Sequence, residues 1–145
     1  MNQHLGQDQP TLDQRRAKDA MNKVDDVLKM YPDKAWQDSY ADYVERLPAT
    51  ILTNGLGQAL AQLLAAAQRG EKTEDPHYLL YKHVSDWLCQ KESKAPYSGE
   101  EDILQAIING GRSSYMHAQA EALAWLEWHK KLAVAYLKQP EGGAK

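Results

Sequence analysis

Phenylalanine is absent from the 145 residues, and cysteine occurs once, at Cys89. A lone cysteine excludes an internal disulfide and suits a reducing interior, so a cytoplasmic location is expected. No stretch alternates apolar and polar residues as a half-buried strand does, and no repeat period runs through the chain. The mean hydropathy of -0.68 and polar residues within the apolar stretches speak against a membrane span. A formal net charge of -3 gives no general attraction to nucleic acid. The polar start MNQHLGQDQP lacks the basic-then-apolar order of a signal peptide and reads as a disordered tail over 1–11. PEGGAK reads as a second loose tail, over 139–145.

Charge is also missing locally. From Pro48 to Gln68 the sequence PATILTNGLGQALAQLLAAAQ holds no Asp, Glu, Lys or Arg, although 26% of the chain is charged. A solvated helix face normally carries such residues. This run therefore reads as a core helix, or as one covered by other protein on its second face. Asn54, Gln58 and Gln62 interrupt it too often for a membrane span.

What is present is helical period. Ala17, Ala20, Met21, Val24, Val27, Leu28 and Tyr31 recur at three- and four-residue steps, and Pro32 ends that helix. Asp33 suits an N-cap for the next, with Trp36, Tyr40, Tyr43, Val44 and Leu47. Pro48 either kinks the chain or opens a third helix. Leu52, Leu56, Leu60, Leu63, Leu64 and Ala67 form its expected stripe, and Gly70 its stop. Asp75-Pro76 caps a fourth, and KESKAPYSG is a loop. A short helix covers Glu100 to Ile108, and a long one about Ser113 to Leu137. On the long helix, Tyr115, Ala118, Ala122, Trp125, His129, Leu132, Ala133 and Tyr136 share the expected core face. Glu127, Lys131 and Lys138 lie opposite, and Trp128 sits at the edge. The fold class is all-α: one domain over 12–138, a bundle of about five to six helices with a long C-terminal helix.

Chemistry-bearing constellations are scarce. His77 and His83 do not share a helix face well, and His129 falls on the core face. Cys89 has no CxxC partner for a zinc site. Glu100-Glu101-Asp102 suits a helix start rather than a metal cluster. Asn54-Gly55-Leu56-Gly57 lacks the Gly-Lys-Ser/Thr ending of a phosphate loop and reads as a bend or a close backbone approach. No catalytic residue, metal site, cofactor or small-molecule substrate is expected. The cations Arg112, Lys130, Lys131 and Lys138 form a locally basic strip, and Arg15, Arg16, Lys18 and Lys23 a second cluster that Asp13, Asp19, Asp25 and Asp26 offset. Taken alone, both read as solvated helix faces, with Glu127 and Lys131 as an i,i+4 pair.

Two motifs carry a resemblance. Leu47-Pro48, Ile51 and Asn54-Gly55-Leu56-Gly57-Gln58-Ala59-Leu60 resemble LP-x-x-I-x-x-NGLGQ-x-L. Glu121-Ala122-Leu123 followed by Trp128-His129-Lys130-Lys131-Leu132-Ala133 is similar to E-x-L-x-x-L-x-W-x-K-R/K-x-A. Both belong to the small subunit of the Cmr complex, a type III-B CRISPR effector, and the likeness covers roughly residues 12 to 137. The resemblance implies a non-catalytic subunit that stacks with further copies of itself and with other Cmr subunits, beside a crRNA paired to target RNA, in antiviral defence. It turns Lys130, Lys131, Lys138 and Arg112, and more weakly Arg15, Arg16 and Lys23, into candidate RNA contacts. It also makes Gln58, Gln62, Ala65, Ala124, Trp128 and Ala135 the expected subunit interface. A helical adaptor that bridges proteins without touching RNA is the other reading.

Overall fold

The long C-terminal helix is the axis on which the others pack. The computed structural model describes residues 8–67 and 72–140, which hold six α-helices, one 3-10 turn and no strand. In chain order they are α1 (Leu12–Met30), α2 (Lys34–Asn54), α3 (Leu56–Ala66), the 3-10 turn (Lys72–Glu74), α4 (Pro76–Leu88), α5 (Ile103–Asn109) and α6 (Arg112–Leu137). The expected stop at Gly70 and the outer parts of both tails, 1–7 and 141–145, lie outside the described residues. Thr11 is the N-cap of α1 and completes a capping box with Gln14. Gln139 donates its backbone N–H to Asp38 at 2.7 Å, so the ordered chain continues past Lys138.

Helix α6 makes its largest contacts with α1 on one side and α2 on the other, and α3, α4 and α5 close the remainder. Ala20, Val24, Val27, Tyr40, Val44, Ile51, Leu60, Leu80, Leu88, Trp125, Leu126 and Leu137 are wholly shielded from solvent. Pro32 separates α1 from α2, and Asp33 caps α2 through the Ala35 N–H at 2.9 Å. Asp75 and Asp102 cap α4 and α5 in the same way.

Several expectations need correction, the smallest being the short helix expected from Glu100, which starts at Ile103 after its cap Asp102. Pro48 neither ends α2 nor opens a new helix; it lies inside α2. Proline removes one i→i−4 hydrogen bond, but Val44, Leu47 and Ile51 on either side of it are buried, and the helix stays continuous through it. The break comes seven residues later, at Gly55, so Leu52 belongs to α2 and is 71% exposed rather than part of the apolar stripe. Tyr136, assigned to the core face of α6, is 55% exposed while Ala133 and Leu137 on either side of it are fully buried, so it lies at the edge of that face and points past it.

The Gly55 elbow explains the Asn-Gly-Leu-Gly wording. Its φ of 90° belongs to the region that side chains avoid, and a Cβ there would stand 3.1 Å from the Tyr115 hydroxyl. Glycine also offers no side chain to cap α3. Helix α6 supplies the caps: the Leu56 N–H donates to Gln119 Oε1 at 2.9 Å and the Gly57 N–H to Tyr115 Oη at 3.0 Å. The expected close backbone approach is thus met by α6 of the same chain.

Candidate nucleic-acid and subunit surfaces

The α1–α6 contact carries a polar network beside its apolar core of Ala20, Val24, Val27, Ala118 and Leu126. Arg16 forks onto Glu121, Nε to Oε2 at 2.7 Å and Nη2 to Oε1 at 2.8 Å. Trp87 donates its Nε1–H to the same carboxylate at 2.9 Å. Burial pushes the Glu121 carboxyl up, but hydrogen bonds from Arg16 and Trp87 outweigh it and hold the group below the ordinary carboxylate range. One turn along α6, Trp125 donates to Asp19 at 2.9 Å, and Lys23 pairs with Asp19 at 2.5 Å while lying over the Trp125 ring. Residues 16 and 19 of α1 thus stand opposite 121 and 125 of α6.

Deeper still, the Tyr40 hydroxyl sits 2.5 Å from His83 Nδ1 and 2.8 Å from His129 Nε2. A phenol has one proton, so it donates to one ring and accepts from the other. One imidazole therefore presents N–H and the other a lone pair. Burial lowers both histidines. His129 falls to about 3, with the Lys23 charge adding to the effect, and His83 falls well below its usual value, with His129 and then Lys23 contributing. The cluster ties α2, α4 and α6 together. His129 was expected in the core; its union with His83 and Tyr40 was not legible, because the three come from separate helices.

Each sequence-predicted cation can now be placed. Arg16 and Lys23 are withdrawn from the exposed set by their partners, and Lys23 is only 8% exposed. Lys138 is folded across onto Asp42 and Glu45 of α2, at 3.2 and 3.3 Å. Lys131 is exposed and pairs with Glu127 at 3.1 Å. Arg15, Arg112 and Lys130 have no ion pair among the described residues. Arg112 and Lys130 fall on one side of α6, about five turns or about 27 Å apart, and Lys131 is turned about 100° from Lys130. The four C-terminal cations therefore do not form one continuous strip.

The expected interface residues are on the surface. Gln58, Gln62 and Ala65 of α3 are exposed, as are Trp128 and Ala135 of α6, and Ala124 is half-buried. They form two patches on different helices. At the α2–α4 side, Gln62 lines a cavity of about 200 Å³ with Tyr43, Arg46, Thr50 and His77. Tyr43 there is stacked on His77 at 3.7 Å and has Arg46 over its ring.

Sequence reasoning passed over another hollow, of about 300 Å³, between the start of α1, the loop after α4 and the first half of α6. Leu12, Trp87, Ala95 and Pro96 line it, with Arg15, Lys94 and His117 among its polar residues. The one available signal was the Lys-rich wording of KESKAPYSG. Among the described residues no group of three His, Cys, Asp or Glu is placed to hold a metal ion, and no helix is long and apolar enough to cross a membrane.

Residues 12–136 match the model of the CRISPR-associated protein family Cas_Cmr5. Among solved structures, the crystal structure of a CRISPR-associated Cmr5 family protein from Thermus thermophilus superposes with a TM-score of 0.66 at 23% identity. That likeness covers 89% of this chain and 100% of the other, and it shows a shared fold. With nearly all of its helical region matched by the family model, this chain belongs to the Cmr5 family.

Proposed function

We propose that this Cmr5 family chain acts as the non-catalytic small subunit of a type III-B Cmr effector, stacking beside the backbone subunits and helping to hold target RNA. The observation that carries the reading is the family match over 12–136. The partners are other Cmr subunits, further copies of this chain and the crRNA–target duplex. Guide pairing would supply sequence choice, and the protein would read backbone and shape.

Two features of the surface support the division of labour. The exposed side of α3, with Gln58, Gln62 and Ala65, has no charge to desolvate on burial against a neighbour. The Ala124, Trp128 and Ala135 edge offers a second contact around one indole, with Lys131 on the same helix face and Glu127 beside it. Arg15, Arg112 and Lys130 keep unpaired heads, and Lys131 is held only by an exposed i,i+4 partner, so these four serve as the phosphate contacts. Arg16, Lys23 and Lys138 take structural roles. That last point favours the second reading, a protein–protein adaptor without RNA contact, because it leaves few cations free.

Reconstitution with Cmr subunits and crRNA tests both halves. Gln62→Glu combined with Ala124→Glu is expected to block assembly while the isolated chain stays folded; normal assembly would remove these patches from the interface. Arg15→Ala, Arg112→Ala, Lys130→Ala and Lys131→Ala together are expected to weaken target RNA of every sequence alike. The salt slope should fall by roughly 0.7 for each lost single-strand phosphate contact. Unchanged affinity and slope in an assembled complex would establish the adaptor.

A further inference from the structure

We infer that the hollow between α1, the loop after α4 and α6 is a slot for one unpaired nucleotide of an RNA strand, with its base against Leu12, Pro96 and Trp87 and its phosphates on Arg15 and Lys94. This rests on the RNA reading above and adds a site to it. The slot's volume of about 300 Å³ is at the lower bound of small-ligand pockets. Its wall is mainly aliphatic, from Leu12, Ala95 and Pro96, with the small accessible part of the Trp87 indole beside them, an apolar surface on which a base can pack without sequence preference. The indole is held in place: Trp87 is 5% exposed and its Nε1–H is fixed on Glu121.

Charge selects the occupant. Two carboxylates line the hollow, Glu92 and Glu121. Glu121 is neutralised by the Arg16 fork, whereas Glu92 accepts only the Lys94 backbone N–H at 3.1 Å and keeps its charge, so the hollow sets two cations, Arg15 and Lys94, against one carboxylate. Arg15 and Lys94 have no carboxylate partner among the described residues. A buried apolar protein side chain would leave those cations unanswered, whereas a phosphodiester would pair with them. Arg15 also borders an adjoining open groove of about 680 Å³ whose lining sets Arg15 and Lys18 against Asp8 and Asp19, the latter paired with Lys23, so the groove adds no net attraction and the cations that matter are those of the slot itself. Leu12, at 43% exposure, is accessible at the mouth of the hollow as an apolar contact.

The full chain, with its indole N–H groups followed by NMR, tests the assignment. Uridine and adenosine monophosphate are expected to shift the Trp87 indole N–H and the Lys94, Ala95 and Tyr97 amides with millimolar affinity, and inorganic phosphate to leave the indole unmoved. Arg15→Ala with Lys94→Ala should weaken the nucleotides about tenfold, whereas Lys130→Ala with Lys131→Ala should change nothing at this site. No shift with nucleotides, an equal shift with phosphate alone, or a larger one with an acidic tetrapeptide would each overturn the slot. In the reconstituted complex, Arg15→Ala with Lys94→Ala should reduce RNA affinity, and unchanged affinity would also overturn it. If Lys130→Ala with Lys131→Ala still lowers RNA affinity in that complex, the slot alone fails and the subunit's RNA role stands; if neither pair matters, both fail.

Discussion

The α1–α6 contact and the α2–α3 elbow are built on opposite terms. The first encloses Arg16, Lys23, Glu121 and, beneath them, His83 and His129, each with a polar side-chain partner. The second buries Ile51, Leu56, Ala59 and Leu60 in a stretch without a charge, and its few polar needs are two backbone N–H groups met by Tyr115 and Gln119. The polar side depends on pairs, so losing one partner strands the other. The apolar side depends on shape, so it is sensitive at the single residue whose backbone is unusual.

The sharpest way to break that contrast is at Glu121. Glu121→Ala leaves the buried Trp87 N–H without its acceptor and Arg16 with only the exposed Asp13 at 3.2 Å, and should cost about 2 kcal/mol in urea unfolding. A loss close to zero would mean water replaces the carboxylate and the contact is not pair-dependent. At the elbow, Gly55→Ala should cost about 2 kcal/mol from its positive φ. Gly57→Ala, whose added Cβ would meet Ile107 at an ordinary 3.7 Å, should be neutral or gain up to about 1 kcal/mol from helix propensity. Equal losses at the two glycines would refute the elbow account.

Acid separates the two regions in another way. His83 and His129 are neutral in the fold, with pKa values depressed by burial, and regain ordinary values on unfolding. Their contribution is complete above the unfolded value near 6.5 and is lost as pH falls below it, for His129 down to about 3. Between pH 7 and pH 5 each histidine held neutral lowers the stability by about 2 kcal/mol. Glu121 is depressed as well, but its loss begins only near the ordinary carboxylate value, below this window. Urea midpoints at pH 7, 6 and 5 should therefore fall steadily, and a flat series would place the histidines in contact with solvent.

The smallest effect is expected at the surface. Lys138→Ala breaks half-exposed pairs with Asp42 and Glu45 and should cost about 0.5 kcal/mol. A loss several times larger would extend the pair-dependent region across to α2.

The helices themselves were largely legible, because period and caps are local: Asp33, Asp75 and Asp102 each stand where a helix begins, whereas Thr11, placed in the tail by its polar surroundings, proved to be the cap of α1. Pro48 misled because proline's local cost was outweighed by burial on both sides of it. The family motifs were legible as wording, and the fold supplies the reason for one of them, a glycine held under the Tyr115 hydroxyl. The cations were the least legible part of the surface. Arg15 and Arg16 are neighbours in sequence, yet one lines an open hollow and the other is forked onto a carboxylate 105 residues away.

By itself the sequence determined an all-α chain, the starts of the helices capped by Asp33 and Asp75, its uncharged central stretch and its Cmr5 family membership, because periodicity, capping and motif wording are properties of neighbouring residues. Tertiary structure alone decided which charges are spent inside the molecule and which remain for a partner. It also decided that Tyr40 would join two histidines from two other helices, and that α6 would cap α3. Those outcomes depend on distances between helices that no local pattern encodes.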